Sequence, residues 1–272
     1  LTAWGTLRSW TCSGHLHEHP EVDLINIIES LSGLPFEVEF KNFEDIKRDG
    51  IGKDVKVIIN AGILNSAWSG GEHWKDTKVI EILTEFVANG GGFLGIHEPS
   101  ACDFSSQFFQ LAPLLGVDKD LGTKKCLGKY HYSVRPNHFI TAETSDISLP
   151  VCEGIFVLNK EVDVLAQKDN TPILTGYCFG KGRSVYFSGY RYGIENTRLF
   201  MRAILYTGQN ENAIKYYICS NPMTECAYYP SVKKIVVINN SGMIQKTTVQ
   251  TMEEETFLVT LKPYDIEIIS LN

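Results

Sequence analysis

The chain has 272 residues, of which 43% are hydrophobic and 21% charged, as in ordinary globular domains. A formal net charge of -7 gives no attraction to nucleic-acid phosphates, and no apolar run is long enough to span a membrane, so we predict neither partner. The seven cysteines are scattered and no secretion signal is visible, which is typical of reduced, buried thiols and predicts a cytoplasmic protein.

The first residues look like the end of a strand. Leu1-Thr2-Ala3-Trp4 is shorter than the apolar run of about five residues that usually forms a strand. We therefore expect the chain to be a piece of a longer polypeptide. His15, His17 and His19 follow at alternate positions, a spacing that could present a metal site. No cysteine or carboxylate stands at a convincing partner spacing, so we predict no metal.

The next part alternates between helical and strand patterns, which is typical of a parallel sheet with crossover helices. Apolar residues recur at helical spacing in two segments, and two others have strand character. The predicted elements are a helix at residues 21–31, a strand at 36–40, a strand at 55–62 and a helix at 77–88.

Residues 89–99 are the centre of this pattern, with the sequence Asn-Gly-Gly-Gly-Phe-Leu-Gly-Ile-His-Glu-Pro. The glycines end the preceding helix, and the apolar run after them is typical of a buried parallel strand. His97 and Glu98 come at its carboxyl end, where α/β sheets usually place ligand sites. The turn resembles the nucleophile turn of class I glutamine amidotransferase-like domains. That family has a cysteine where this chain has His97, and no histidine follows the late strand, so the resemblance implies the fold without the amidotransferase activity.

The pattern is less regular after Pro99. The predictions are a helix at residues 108–115, strands at 130–134 and 139–142, a strand within 157–167, a hairpin at 172–188 and a helix at 194–206. After a polar linker the chain has only short alternating runs, at residues 214–219, 226–229, 234–238, 244–251, 257–261 and 266–271.

These patterns predict an α/β fold with a doubly wound, mostly parallel sheet, followed by a small all-β sandwich. We place the α/β domain at residues 1–207 and the sandwich at 208–272.

Three motifs stand out along the chain. They are Trp-Gly-Thr-Leu-Arg-Ser-Trp at residues 4–10 with Ser-Gly-His at 13–15, Ile-Glu-Ser-Leu-Ser-Gly-Leu-Pro-Phe at 28–36, and Tyr-Phe-Ser-Gly-Tyr at 186–190 leading to Glu-Asn-Thr-Arg at 195–198. In this order they resemble the motifs of the 1,3-β-galactosyl-N-acetylhexosamine phosphorylases, also called lacto-N-biose phosphorylases. The resemblance covers essentially the whole chain and implies the C-terminal half of such an enzyme.

The resemblance implies a missing catalytic barrel on the same polypeptide, a galactoside substrate, inorganic phosphate as co-substrate, no cofactor, and a homodimer. The catalytic acid of that family belongs to the barrel, so no residue here is assigned a catalytic role and the isolated chain is expected to be inactive. The alternative is a free-standing sugar-binding or scaffolding module with an amidotransferase-like fold of the trehalose-utilisation type.

Five residues are candidates to face a ligand or the barrel: Arg8, His15, His97, Glu98 and Arg191. The competing interpretation makes His97 and Glu98 an internal hydrogen-bonded pair, and makes the arginines members of structural ion pairs. Trp68 and Trp74, in a glycine-rich loop, could stack on sugar rings or seal an interface, and we favour the interface.

Overall fold

The computed structural model describes residues 1, 24–64, 68–103, 106–122, 130–144, 146–214, 219–250 and 255–271. The helices in these ranges are α1 Leu24–Ser32, α2 Phe43–Asp49, α3 Thr77–Ala88, α4 Ala112–Leu115 and α5 Ile194–Thr207. The strands up to α5 are β1 Val57–Gly62, β2 Gly92–His97, β3 Val117–Lys119, β4 Ile155–Val157, β5 Asp163–Lys168, β6 Thr171–Phe179 and β7 Gly182–Phe187. Those after it are β8 Thr224–Tyr229, β9 Lys234–Asn239, β10 Gln245–Gln250, β11 Thr256–Leu261 and β12 Ile266–Ser270.

The main sheet has the strand order β1-β2-β7-β6-β5. Strand β2 pairs in parallel with β1 and β7, whereas the β6–β7 and β5–β6 pairs are antiparallel. The predicted α/β class is confirmed, but the described sheet is mixed rather than mostly parallel. The reason is the hairpin at β6 and β7, whose two-residue turn at Gly180 and Lys181 reverses the chain without a crossover helix.

Helices cover both faces of this sheet. Successive side chains of β2 point to opposite faces, so Phe93 packs with Val79, Leu83 and Val87 of α3, whereas Leu94 packs in a second cluster with α5. All six residues of β2 are buried. The sheet therefore forms the middle of three layers, and β2 lies inside it between β1 and β7.

Two glycines at the junction between α3 and β2 have different structural roles. Gly90 adopts a φ of 115°, which ends the turn after α3. A Cβ on Gly92 would lie 2.5 Å from the carbonyl oxygen of Thr207, so the absence of a side chain lets the end of α5 pack on the start of β2. The predicted helix at residues 77–88 and the strand that follows it are both confirmed.

The C-terminal part contains two antiparallel sheets, β10-β11 and β12-β9-β8. Val249 and Val259 from the first sheet share one buried cluster with Ile235 and Val237 from the second. This is the arrangement expected of a small sandwich, because each sheet covers the apolar face of the other. The boundary at residues 207 and 208 stays a prediction.

Three predicted strands are wrong in the described ranges, and one predicted helix is shorter than expected. Residues 36–40 are not a strand. Residues 130–134 form only a bridge from Val134 to Val164, and 139–142 begin with the 3-10 turn Phe139–Thr141, which the His138 side chain caps. The helix at 108–115 is reduced to α4, because the backbone N–H groups of Phe108 and Phe109 donate to the Asp118 carboxylate instead of to helical carbonyls. In the described part of the chain, no helix is long and apolar enough to cross a membrane.

Gly182 offers a test of this packing. A Cβ there would lie 2.1 Å from the carbonyl oxygen of Val87 and 2.2 Å from that of Gly91, both of which are backbone atoms that cannot rotate away. We expect Gly182→Ala to lower the free energy of unfolding by about 1–3 kcal/mol through overpacking. Urea denaturation measures this. Gly193→Ala is the matched control, since a Cβ there meets nothing within 4 Å, and an equal loss in both variants would contradict the packing described.

Candidate functional site

Polar residues gather at the carboxyl ends of the parallel strands. The register pairs Gly62 with His97 and Ile96 with Phe187, so β1, β2 and β7 end side by side. Asn60 near the end of β1, His97 and Glu98 after β2, and Ser188 after β7 therefore lie along one edge of the sheet. All four are buried.

The turn after β2 has the geometry of a tight strand-to-loop elbow. His97 has a φ of 66°, a region that non-glycine residues rarely occupy and that clusters at functional sites. Its carbonyl oxygen accepts a hydrogen bond of 2.9 Å from the Tyr186 hydroxyl, and the N–H of Glu98 donates to the carbonyl of Gly62 at 2.9 Å. Gly95 has no side chain, which lets Pro99 fold back against β2. These contacts fix the elbow from both neighbouring strands.

Both oxygens of the Glu98 carboxylate have partners inside the protein. One oxygen accepts a hydrogen bond of 2.7 Å from the N–H of Leu64, and the other lies 2.5 Å from the Lys119 ammonium. The side chains of Glu98 and Lys119 are 10% and 20% exposed, respectively, so the ion pair is largely shielded from water. Burial by itself would lower the pKa of Lys119, but the neighbouring Cys152 and Glu98 raise it above its usual value. Lys119 is therefore charged at neutral pH.

Cys152 completes this cluster beneath the elbow. It is 2% exposed, and burial raises the pKa of its thiol to about 11 in spite of the nearby Lys119. Burial also raises the pKa of Tyr186 well above its usual value. A neutral thiol and a neutral phenol in the interior are poor nucleophiles, so this cluster does not replace the cysteine that His97 displaces.

Among the described residues, this cluster is the arrangement of side chains that most resembles a metal site. Single ligand atoms of His97, Glu98 and Cys152 lie within 4.8 Å of one another, a donor set that zinc accepts. However, Lys119 hydrogen-bonds both Glu98 and Cys152, so an ammonium group already supplies the positive charge. A metal would have to displace it, and the residues fit a metal poorly for that reason.

Asn60 holds the two neighbouring loops. Its side-chain oxygen accepts a hydrogen bond of 2.8 Å from the N–H of Ser100, and its amide group donates to the carbonyls of Trp68 and Ser69. Ser100 also has a positive φ, of 54°. The loops after β1 and β2 are thus tied together by a side chain that reaches no solvent.

The structure brings together only part of the predicted set. His97 and Glu98 lie in the buried cluster, whereas Arg191 is exposed, and its carbonyl accepts a hydrogen bond from the Asn196 side chain. Arg8 and His15 lie outside the described residues. Trp74 is fully buried and packs edge-on against Phe43, so the interface role favoured for it is wrong.

Residues from the second and third phosphorylase-like motifs meet in the interior. The Ser30 hydroxyl lies 2.5 Å from that of Tyr190 and 3.0 Å from that of Thr197, and all three residues are buried. Arg198 donates to the carbonyl oxygen of Cys219 at 2.6 Å and pairs with Glu143. These contacts therefore join α1, α5 and the start of the C-terminal part.

Comparison with known families assigns both parts of the chain. Residues 1–212 match the lacto-N-biose phosphorylase central domain, and residues 217–269 match the lacto-N-biose phosphorylase C-terminal domain. The chain belongs to the lacto-N-biose phosphorylase family. The family indicated by the sequence motifs is thereby confirmed.

Curated relatives in the lacto-N-biose phosphorylase family are much longer. A D-galactosyl-β-1→4-L-rhamnose phosphorylase of Lachnoclostridium phytofermentans is 41% identical over 271 residues, which are 100% of this chain and 37% of the relative. A 1,3-β-galactosyl-N-acetylhexosamine phosphorylase of Bifidobacterium longum is 33% identical over 94% of this chain and 39% of its own length. The chain thus spans less than two fifths of these relatives.

Solved structures give looser similarities. A β-galactosidase from Rahnella sp. R3 aligns with 89% of this chain and 35% of its own, at 15% identity and a TM-score of 0.48. A ThuA-like protein from Bacteroides uniformis aligns with 74% of this chain and 87% of its own, at 15% identity and a TM-score of 0.40. Alignments this loose support no conclusion about the function of this chain.

Sequence reasoning missed Lys119, Cys152 and Tyr186. Lys119 ends the short strand β3, which follows the one-turn helix α4, and Cys152 lies in an irregular segment, so no spacing relates either of them to Glu98. Tyr186 stands within a predicted strand of the family motif, and the alternation along that strand places it on the same face as the buried Ser184. That alternation was the one feature of the sequence that could have indicated the buried position of Tyr186.

The Glu98–Lys119 pair can be tested by removing one partner at a time. We expect Lys119→Met to lower the free energy of unfolding by about 3 kcal/mol, since it leaves a buried carboxylate without its counter-ion. The double variant Glu98→Gln/Lys119→Met should recover most of this loss, because the amide needs no charge partner and still accepts from Leu64. Urea denaturation of the four proteins in the cycle gives the result. A single variant as stable as the parent would show that the pair is too solvated to matter.

Proposed function

We propose that this chain is the C-terminal portion of a glycoside phosphorylase whose catalytic barrel precedes it on the same polypeptide. In that enzyme a phosphate oxygen attacks the anomeric carbon of a β-linked galactoside while a barrel carboxylic acid protonates the leaving oxygen, which yields galactose 1-phosphate and the free acceptor sugar. The role proposed for this portion is dimerisation and closure of the active site. Phosphate is then the co-substrate, and no cofactor takes part.

The elbow at His97 is the observation that carries the non-catalytic role. It keeps the strained backbone of a catalytic turn, yet the groups around it are a buried histidine, a carboxylate paired with lysine and a neutral thiol. A rigid, internally satisfied edge suits a surface that closes over another domain. Excluding water matters for a phosphorylase, because bulk water competes with phosphate for the same carbon. The doubly wound, amidotransferase-like arrangement is part of this proposal.

The preferred substrate is proposed to be a β-1,3-galactosyl-N-acetylhexosamine. The names of the relatives share the galactosyl group and differ in the acceptor, which is L-rhamnose in one and N-acetylhexosamine in others. The galactosyl half of the proposal therefore has the broader support. A cytoplasmic location follows from the same proposal, since the product is a sugar phosphate of the kind used inside cells.

A candidate surface for a homodimer interface lies on the C-terminal part. Ile266 and Ile268 on the edge strand β12 are 57% and 58% exposed, and their register partners Ile238 and Val236 lie on the same face of the sheet. An apolar row of this kind supports the proposed dimerisation. The alternative, a free-standing sugar-binding or scaffolding module, has less support because both parts of the chain match phosphorylase domains in order.

The isolated chain should be inactive. We expect no phosphate-dependent release of galactose 1-phosphate from lacto-N-biose and no hydrolysis of glutamine, because the cluster at the elbow provides neither a free general acid nor an activated nucleophile. Coupled detection of galactose 1-phosphate measures the first activity, and ammonia release measures the second. The longer polypeptide is the positive control. Phosphorolysis by the pure 272-residue chain would refute the assignment of the acid to the barrel.

His97 should control water exclusion in the longer polypeptide. We expect His97→Ala to lower the ratio of phosphorolysis to hydrolysis by about tenfold, since small displacements near a reacting centre cost up to about 100-fold. His97→Asn should retain more of the ratio, because asparagine tolerates a positive φ. Product analysis for galactose and galactose 1-phosphate gives both rates.

Asn170→Ala is the matched control for the His97 variants. Asn170 also has a positive φ, of 62°, but it is exposed in the β5–β6 turn, far along the chain from the elbow. Its replacement should leave the ratio unchanged. If His97→Ala also keeps the parental ratio while remaining folded, His97 is a structural residue and the closure role loses its support.

A further inference from the structure

A tight turn precedes strand β8, and two cysteines flank it symmetrically. The backbone N–H of Thr224 donates to the carbonyl oxygen of Asn221 at 3.0 Å, which closes a turn of four residues. Cys219 comes two residues before Asn221, and Cys226 comes two residues after Thr224. Because the turn reverses the chain, the two cysteines come to opposite positions. Cα atoms at opposite positions are usually about 4.5–5.5 Å apart, within the range of about 4.4–6.8 Å that a disulfide spans.

The arm of the turn that carries Cys219 is fixed to the neighbouring strand β10. The N–H of Ser220 donates to the carbonyl oxygen of Thr248 at 3.0 Å, and the N–H of Asn221 donates to the Thr247 hydroxyl at 3.2 Å. The other arm is β8 itself, which pairs along its whole length with β9. The two arms are therefore held in place independently of the cysteine side chains.

The two thiols meet inside the C-terminal sandwich. Side chains along a strand alternate between its faces, so Cys226 points to the same side as the buried Thr224. Cys219 and Cys226 are 0% and 5% exposed and belong to one apolar cluster with Val237 and Val249. The thiols hydrogen-bond each other, and both are free. A bond between the two sulfurs thus requires little movement of the backbone.

Cys219 is the more reactive thiol of the pair. Hydrogen bonds from Cys226, Thr224 and Thr247 lower the pKa of Cys219 to about 7, although burial opposes this shift. By contrast, burial raises the pKa of Cys152 to about 11. The thiolate is the form of cysteine that peroxides oxidise, so oxidation begins more readily at Cys219 than at Cys152.

The pair lies where the two parts of the chain meet. Arg198 of α5 donates to the carbonyl oxygen of Cys219 at 2.6 Å, which ties the closing helix to the segment before the turn. A covalent bond from Cys219 to β8 would hold that carbonyl oxygen in place. It would also restrict the unfolded chain by closing a loop, and both effects stabilise the joint.

We propose that Cys219 and Cys226 form a reversible disulfide when the protein meets a hydroperoxide. The Cys219 thiolate attacks one peroxide oxygen and breaks the O–O bond, which gives a sulfenic acid and hydroxide. The Cys226 sulfur then attacks the Cys219 sulfur and loses its proton, and the hydroxyl group leaves as water. With hydrogen peroxide, two thiols are oxidised to one disulfide while the peroxide is reduced to two water molecules. This proposal is independent of the phosphorylase function.

Peptide mass spectrometry of the peroxide-treated chain tests this bond. Trypsin releases residues 216–233 as one peptide that holds both cysteines, because lysines precede and end it. After a stoichiometric dose of hydrogen peroxide and alkylation without reductant, we expect this peptide to carry no alkyl group and to lack two hydrogen atoms. Dithiothreitol should restore the dithiol form by exchange. Alkylation of both cysteines, a sulfenic acid without the bond, or a bond from either sulfur to another cysteine would overturn the proposal.

Thermal unfolding shows whether the bond stabilises the joint. We expect peroxide treatment to raise the Tm by about 3 °C, the usual effect of a bond that closes a short loop. Cys226→Ser should lose both the bond and the gain in Tm. Cys178→Ser is the matched control and should keep both, since Cys178 is exposed. A gain that persists in Cys226→Ser, or one that disappears in Cys178→Ser, would place the oxidised site elsewhere and overturn the proposal.

Discussion

The parallel pairing of β2 with β1 on one side and β7 on the other is the interaction on which the other features depend. It aligns Gly62, His97 and the residue after Phe187 at one edge of the sheet. Because β2 is buried along its whole length, no polar group at its end can rely on water. The neighbouring strands and loops supply partners for the His97 carbonyl and the Glu98 carboxylate, through Tyr186, Lys119 and Leu64.

This requirement explains how a catalytic-type elbow can persist without a nucleophile. The strained φ of His97 is held by two backbone contacts and not by its side chain. The His97 carbonyl accepts a hydrogen bond from Tyr186, and the N–H of Glu98 donates to the carbonyl of Gly62. The lysine that pairs with Glu98 makes the carboxylate acceptable in the interior. The elbow is therefore stable as a scaffold, which fits a family whose catalytic acid is proposed to lie in another domain.

The chain is also organised around contacts between its two parts. Arg198, from the last family motif, reaches the carbonyl of Cys219, while Ser30, Tyr190 and Thr197 link α1 to the closing helix.

The sequence by itself determined the family, the α/β class, the central strand with its glycine turn, the hairpin and the closing helix. These features follow from local patterns: period 3.6 in α3, an apolar run in β2 and alternation in β8 to β12. It could not determine that residues 36–40 would lack strand pairing, because pairing depends on a neighbour and not on the segment. It also missed the contraction of the helix at 108–115, since the competing partner, Asp118, comes from the following strand.

For the site, His97 and Glu98 were predictable because they end a strand whose pattern is plain. Lys119 and Cys152 were not, because 21 residues separate Lys119 from Glu98 and no periodicity connects them. Only the tertiary structure decided that the Lys119 ammonium and the Cys152 thiol lie together beside Glu98. The physical reason is that local sequence fixes the direction of a backbone, whereas the partners of a buried polar group are chosen by whichever distant segments pack against it.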